Sequence, residues 1–421
     1  MTNDRRARSG ICGGMAQEGV MTKEEVLQSL AIQTESKLVM VVIDGIGGLP
    51  VRGKTELEAA KTPNLDRFTP KSVCGLIDPI SYGITPGSGP SHLALFGYDP
   101  FQYEIGRGVM EALGIDIPLM KDDLTARGNF ATIDAEGIIV DRRAGRIPTE
   151  KNREICQFLG NEIKEVEGVR IAIYPGKEHR FVVVFKGEGL REDLTDADPQ
   201  KDGYKAKGTV GLSGEAQRTA RIVNLYLKKA AEILKSFHPA NTILLRGFSK
   251  IPDIPTLSER FKLRPAAIAT YPMYRGLARL VGMEILKTGE TIEQEVETLK
   301  KYFDQFDFFY IHFKKPDMAG EDGNFKMKIK AIEEIDRILP AIFKLNPDVL
   351  VVTGDHSTPT HLKSHSWHPN PILLHSKYVR PDGIRRFTER LCQKGQLGRF
   401  PAMDIIPLML ANGLKLKKFG A

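Results

Sequence analysis

Four of the chain's nine histidines are crowded into one tract, where Gly354-Asp355-His356 is followed by His361, His365 and His368. A second tract, Lys315-Pro316-Asp317-Met318-Ala319-Gly320-Glu321, supplies two more acids, and Asp44 and Ser88 stand far upstream. Mixed carboxylate and imidazole donors suit a hard-to-borderline divalent ion such as Mn²⁺ or Zn²⁺ rather than a soft thiolate site. With a serine added, the set is that of a two-metal centre built around a hydroxyl nucleophile, which is phosphoryl-transfer chemistry.

The elements that must position these groups are apolar runs. Leu38 to Ile43 (LVMVVI) leads into Asp44, Phe308 to Phe313 (FFYIHF) toward Asp317, and Val349 to Thr353 (VLVVT) into Asp355-His356. Continuous apolar runs of this length read as parallel strands buried on both faces, and ligands of open α/β sheets sit beyond the carboxyl ends of such strands. An acid after a strand is also a common helix N-cap, so one alone would carry little. Three of them bring carboxylates to one rim.

Ser88 lies in a Gly/Pro-rich turn, Thr85-Pro86-Gly87-Ser88-Gly89-Pro90, that runs into the helix-like segment Ser91 to Phe96. A hydroxyl at a helix N-terminus meets free N–H groups and a dipole that favour an alkoxide and its phosphate. The plain alternative is an ordinary helix cap. No GxSxG elbow surrounds Ser88, so a metal rather than a Ser-His-Asp relay would have to activate it.

The tracts VVIDGIGG, TPGSGPSHLALFGYDP, KKPDMAGEDG and VVTGDHSTP, with HSWHPNP after them, resemble the archaeal-type branch of the 2,3-bisphosphoglycerate-independent phosphoglycerate mutases, members of the alkaline phosphatase superfamily. The likeness runs from about Lys37 onward. It implies an α/β alkaline-phosphatase-like core with a central, mostly parallel sheet flanked by helices, plus an inserted smaller α/β domain. It also implies interconversion of 3- and 2-phosphoglycerate through phosphorylated Ser88 with two divalent metals, Mn²⁺ first and Zn²⁺, Mg²⁺ or Co²⁺ as substitutes. One ion would be held by Asp44, Ser88, Asp355 and His356, and the other by Asp317, Glu321 and His365. Many relatives carry histidine where Glu321 stands; an oxygen ligand there gives harder character. His361 and His368 are left for outer contacts.

The implied domains are an N-terminal extension over 1–36, expected to be flexible, the core over 37–118 and 264–421, and the inserted domain over 119–263. Strand-like runs at Arg170 to Ile173, Phe181 to Phe185 and Thr242 to Leu245, and a helical pattern from Ala216 to Phe237, fit a separate layer there. Arg127, Arg142, Arg143, Arg146, Arg180 and Arg246 cluster near Gly and Asp turns. Guanidinium forks match both carboxylate and phosphate, and phosphoglycerate carries one of each. These arginines and His92 are the expected substrate contacts. Arg275 is a candidate phosphate contact and Asp141 a candidate general acid and base.

With 421 residues and 41% hydrophobic content, the chain can bury two cores. Its net charge of +7 suits an anionic substrate in a cleft. Part of the excess lies in Arg5, Arg6, Arg8 and Lys415, Lys417, Lys418, and no aromatic-interleaved basic stripe points to nucleic acid. Cys12, Cys74, Cys156 and Cys392 are scattered without a CxxC pair and fit a reducing cytoplasm. No signal-peptide core or membrane-length apolar run occurs, and Met21 offers an alternative start. The rivals are a phosphatase or phosphodiesterase of the same superfamily, and a non-catalytic metal-binding scaffold; a sulfatase would need a CxPxR-type motif that is absent.

Overall fold

The computed structural model describes residues 21–420, so Arg5, Arg6, Arg8 and Cys12 lie outside the described residues. In chain order its strands are β1 (Leu38–Ile43), β2 (Val73–Asp78), β3 (Leu124–Ile133), β4 (Ile139–Asp141), β5 (Glu165–Val166), β6 (Val169–Pro175), β7 (Arg180–Lys186), β8 (Thr242–Ser249), β9 (Pro265–Ala269), β10 (Glu284–Ile285), β11 (Phe308–Phe313), β12 (Val349–Thr353), β13 (Asn370–Ser376) and β14 (Gly398–Pro401). An eight-stranded sheet has the order β10-β9-β11-β1-β12-β13-β2-β14 and is parallel apart from β13. A second sheet, β4-β3-β7-β6-β5 with β8 also paired to β3, is antiparallel throughout.

All six residues of β1 are buried because helices cover both faces of the first sheet. Leu38, Met40 and Val42 pack into one apolar cluster, and Val39, Val41 and Ile43 into the other. Each such side chain is worth roughly 1.5–3 kcal/mol when fully buried, so the middle of the sheet is strongly held. The helix Phe325–Lys344 covers one face with Ile332, Ile335, Leu339 and Ile342, at the 3–4–3 spacing of an amphipathic helix.

In the second sheet, Phe181, Val183 and Phe185 of β7 face the helices Thr149–Glu162 and Gln217–Leu234. Val182 and Val184 point the other way, onto Ala112 of the helix Arg107–Gly114 and Ile117 just beyond it. On the return path Leu257, Phe261 and Leu263 already pack with the first sheet's core.

The N-terminal extension departs from expectation in its described part. Thr22 and Glu25 form a reciprocal capping box that starts the helix Lys23–Leu30. Glu24 pairs with the buried Arg260 at 2.9 Å, and Ala31, fully buried, bridges to Leu416. This segment is docked, not free.

Glu295, on the helix Ile292–Tyr302, is 1% exposed and its Oε1 has no hydrogen-bond partner. Burial pushes its carboxyl up from 4.5 to about 8, against hydrogen bonds from Thr270 and the charge of Lys315. The folded chain therefore holds a proton that the unfolded chain releases, and stability falls as pH rises from 4.5 toward 8. Glu295→Gln is expected to flatten that slope: the variant's unfolding free energy should gain on the wild type's as pH rises, by on the order of a few kcal/mol, and its melting temperature should rise relative to the wild type's in step. Parallel pH profiles of the two would show no divergence if Glu295 ionised normally.

Candidate active site

The three strand ends meet as expected. Val42 lies opposite His312 on β11 and Thr353 on β12, so the residues that follow each strand emerge at one level. Gly45 makes the approach possible: its φ is +65°, and a Cβ there would sit 2.8 Å from the Cα of Asp317. Asp317 comes from the first turn of the helix Lys315–Glu321, which starts two residues after β11.

Ser88 is the first residue of the helix Ser88–Leu95, with Gly87 in the capping position. Its Oγ lies 3.4 Å from His356 Nε2. Ligand atoms of Asp44, Asp355 and His356 lie within 4.8 Å of one another, as do those of Asp317, His356 and His365. His356 thus stands between two sets, its ring stacked 3.6 Å from that of His365.

Asp44 is fully buried; its Oδ2 accepts from Tyr274 Oη (2.6 Å) and lies 3.1 Å from His312 Nε2, and it forms an ion pair with Lys314 Nζ at 3.0 Å. Its Oδ1 has no hydrogen-bond donor. Burial works to raise this carboxyl, yet the His312 hydrogen bond and the charges of His356, His312 and Lys314 hold it well below the usual range. Asp355 accepts the Gly45 N–H through Oδ1, while its Oδ2 lies 3.0 Å from His356 Nε2 without the alignment of a hydrogen bond. Burial would lower His356, but Asp355, Asp44 and Asp317 outweigh it and raise it to about 9. Two buried anionic oxygens without donors, beside an imidazole that wants positive charge, fit a divalent cation.

Behind these groups, His356 Nδ1 lies 3.0 Å from Thr358 Oγ, which donates to Asp317 Oδ1 at 2.5 Å. Lys328, fully buried, donates to the carbonyls of Gly47 (2.9 Å) and Thr358 (2.8 Å), tying the loop after β1 to the loop after β12.

The expected arginines form a second group. Arg127 on β3 lies directly opposite Arg246 on β8. Burial lowers Arg127 to about 10; Glu111 resists this, while Arg246, Arg180 and Arg107 add to it. Facing cations of this kind call for an anion. Arg142 is different, because its guanidinium is held bidentately by the buried Asp198 at 2.9 and 2.6 Å. Asp198 also lies 3.8 Å from Arg246. Arg142 is therefore a strut more than a free ligand, and Asp198→Asn is expected to raise KM for an anionic substrate severalfold with a smaller effect on kcat; equal losses in both would contradict this. Asp141 spends its oxygens on the N–H groups of Arg143 and Gly145, shaping the loop that carries Arg143 and Arg146. Arg275 pairs with Asp116. Among the described residues, no hydrogen bond or ion pair joins the arginine group to the acid cluster.

His92 requires a correction: it is fully buried beneath Ser88, its Nδ1 2.8 Å from the Ser88 carbonyl and its ring packed on Tyr274. Burial drives it to about 4, so it supports the serine from below and has no surface to offer a substrate. Glu321 is half-exposed, with Oε1 3.8 Å from His365 Nε2. His365 is itself aimed by Nδ1, 2.9 Å from the Pro86 carbonyl. His368 meets Ser366 and stacks on Trp367, and His361 is exposed. Tyr274, His312, Lys314, Thr358, Lys328, Arg107 and Asp198 were not foreseen. Only Lys314 carried a sequence signal, being next to the Lys315-to-Glu321 tract.

A hydroxyl at a helix N-terminus, facing cation-ready carboxylates at the ends of a mostly parallel sheet, defines the class of α/β phosphoryl-transfer enzymes. Residues 70–241 match the family model described as 2,3-bisphosphoglycerate-independent phosphoglycerate mutase. A Thermotoga maritima protein named a probable mutase of that kind is 53% identical over 399 residues, covering 95% of this chain and 99% of its own. An Aquifex aeolicus protein of the same name is 51% identical, covering 94% and 100%. Among solved structures, a Pyrococcus horikoshii protein superposes with a TM-score of 0.77 at 30% identity, covering 92% of this chain and 100% of its own. The cofactor-independent phosphoglycerate mutase of Thermoplasma acidophilum gives 0.74 at 28% identity, covering 90% and 100%. The chain belongs to the 2,3-bisphosphoglycerate-independent phosphoglycerate mutase family, whose members are isomerases.

Proposed function

We propose that the protein interconverts 3-phosphoglycerate and 2-phosphoglycerate, a step of glycolysis and gluconeogenesis, by way of a phosphoserine on Ser88 and without 2,3-bisphosphoglycerate. The observation that carries this reading is the Ser88 hydroxyl, at the first position of its helix and 3.4 Å from His356 Nε2, an imidazole grouped with Asp44 and Asp355, each of which has an oxygen without a donor. Asp44, Ser88, Asp355 and His356 would hold one divalent ion and Asp317, Glu321 and His365 the other, with His356 close to both. When bound, such ions, Mn²⁺ first among them, acidify a hydroxyl and offset charge on phosphoryl oxygens.

The chain's own residues account for the rest. Ser88 accepts the phosphoryl group at the positive end of its helix, where backbone N–H groups face the oxygens. Residues 119–263 serve as the substrate-binding domain over a phosphatase-like core of 37–118 and 264–421. Arg127, Arg143, Arg180 and Arg246, joined by Arg107, hold the glycerate carboxylate while it turns to offer its other oxygen. Asp141 is assigned the proton that passes between the two hydroxyls, a role that requires it to release a backbone contact. Closure against water separates a mutase from a phosphatase. A cytoplasmic setting is supported by Cys74, Cys156 and Cys392, which are buried and unpaired; no helix of the described residues is long and apolar enough to cross a membrane.

The test is a coupled enolase assay on 3-phosphoglycerate with Mn²⁺, without 2,3-bisphosphoglycerate, with free phosphate followed in parallel. Formation of 2-phosphoglycerate that disappears in Ser88→Ala supports the proposal. Phosphate release without isomerisation would make the protein a phosphatase.

A further inference from the structure

One ammonium touches both acid sets. Lys314, the residue after β11, places Nζ 3.0 Å from Asp44 Oδ2 and 2.6 Å from Asp317 Oδ2. Its third contact is Tyr274 Oη at 3.1 Å, and the rings of Tyr271 and Tyr274 flank it at 5.4 Å. The side chain is 15% exposed, and both carboxylates are fully buried. Each acid is split in the same way: Oδ2 faces Lys314, while Oδ1 faces His356, at 3.4 Å from Asp44 and 3.8 Å from Asp317.

We propose that Lys314 is a built-in counter-cation of this centre, neutralising Asp44 and Asp317 in the metal-free protein and opposing the entry of divalent ions into both ligand sets. The inference rests on the metal reading given above. An ammonium shared by two candidate ligands repels any ion they bind, and the repulsion is strong because the site is largely dry. The same contact keeps the empty site folded, since two buried carboxylates without a cation are costly. Lys314 thus trades metal affinity for the stability of the empty protein, and its contact with both sets makes the filling of one felt by the other.

The experiment measures Mn²⁺ binding by calorimetry, and melting temperatures with and without Mn²⁺, for the wild type, Lys314→Met and Lys314→Gln. In both variants Mn²⁺ affinity should rise about tenfold or more, while the metal-free protein melts lower and the loaded protein does not. A residue with only a packing role would lower stability in both forms and leave affinity unchanged or weaker, and that result overturns the inference. If a variant does not fold without metal, it is prepared in Mn²⁺ and the rate of loss to a chelator is compared with the wild type. Slower loss supports the inference, and equal or faster loss overturns it. A wild type that binds no Mn²⁺ overturns the metal reading itself; a wild type that binds Mn²⁺ beside variants of unchanged affinity overturns only the role of Lys314.

Discussion

Ser88→Ala is expected to lower turnover of 3-phosphoglycerate by on the order of 10⁴-fold or more, the scale on which removing a covalent nucleophile acts. No neighbour can take its place. Ser91, one turn on, is buried with its hydroxyl on the Ser88 carbonyl at 3.0 Å, and His92 lies beneath the helix. The substitution should cost little stability, because Gly87 rather than Ser88 caps the helix and alanine is a better helix former than serine. A change within about 0.5 kcal/mol is the expectation for such a site. Activity and stability should therefore separate cleanly. A phosphoprotein is expected for the wild type incubated with substrate and should be absent from the variant by intact mass. Turnover above about a hundredth of the wild-type rate would mean that the nucleophile lies elsewhere.

The rim of the first sheet was legible because strand burial writes itself into composition. A run such as Leu38 to Ile43 has no polar residue to spare for solvent, and the acid that follows it must sit at the strand's end. The crowding of candidate ligands was legible through histidine and carboxylate density, while their division into two sets came only from the family resemblance. What the sequence hid were contacts to backbone and between distant side chains. His92 looks chemical beside Ser88, and only the packing of Tyr274, His312 and Phe96 around it shows that it is sealed off. Arg142 reads like its neighbours, yet Asp198, far along the chain, takes its fork. The docking of the helix Lys23–Leu30 depends on Arg260 and Leu416, and nothing local in the N-terminal segment predicts either partner.

Lys328 is hidden for the same reason, and its removal carries the second large expected effect. On the helix Phe325–Lys344 it occupies one polar position among many, but its ammonium is fully buried and its hydrogen-bond acceptors, the carbonyls of Gly47 and Thr358, leave no mark on sequence. Burial lowers its pKa, opposed by Glu56 and Glu389. Glu56 accepts from Thr360 through Oε1, and Glu389 accepts from Gly48 N–H and Thr55 Oγ. Lys328→Met would leave two buried carbonyls without a donor and remove the positive charge that Glu56 and Glu389 feel, a loss of about 3–5 kcal/mol. Because the tied loops carry Asp44 and Asp355-His356, Mn²⁺ affinity should also fall, by roughly 10–100-fold, as it does when supports of metal ligands are removed. Adding Glu389→Gln relieves the uncompensated charge but not the broken tie, so the double variant should regain stability and still bind Mn²⁺ weakly. Recovery of both together would mean that Lys328 acts on the metal only through overall stability. The two lysines are thus expected to differ in sign: Lys314, between the ligand sets, weakens metal binding by its presence, whereas Lys328, behind them, strengthens it by holding the loops in place.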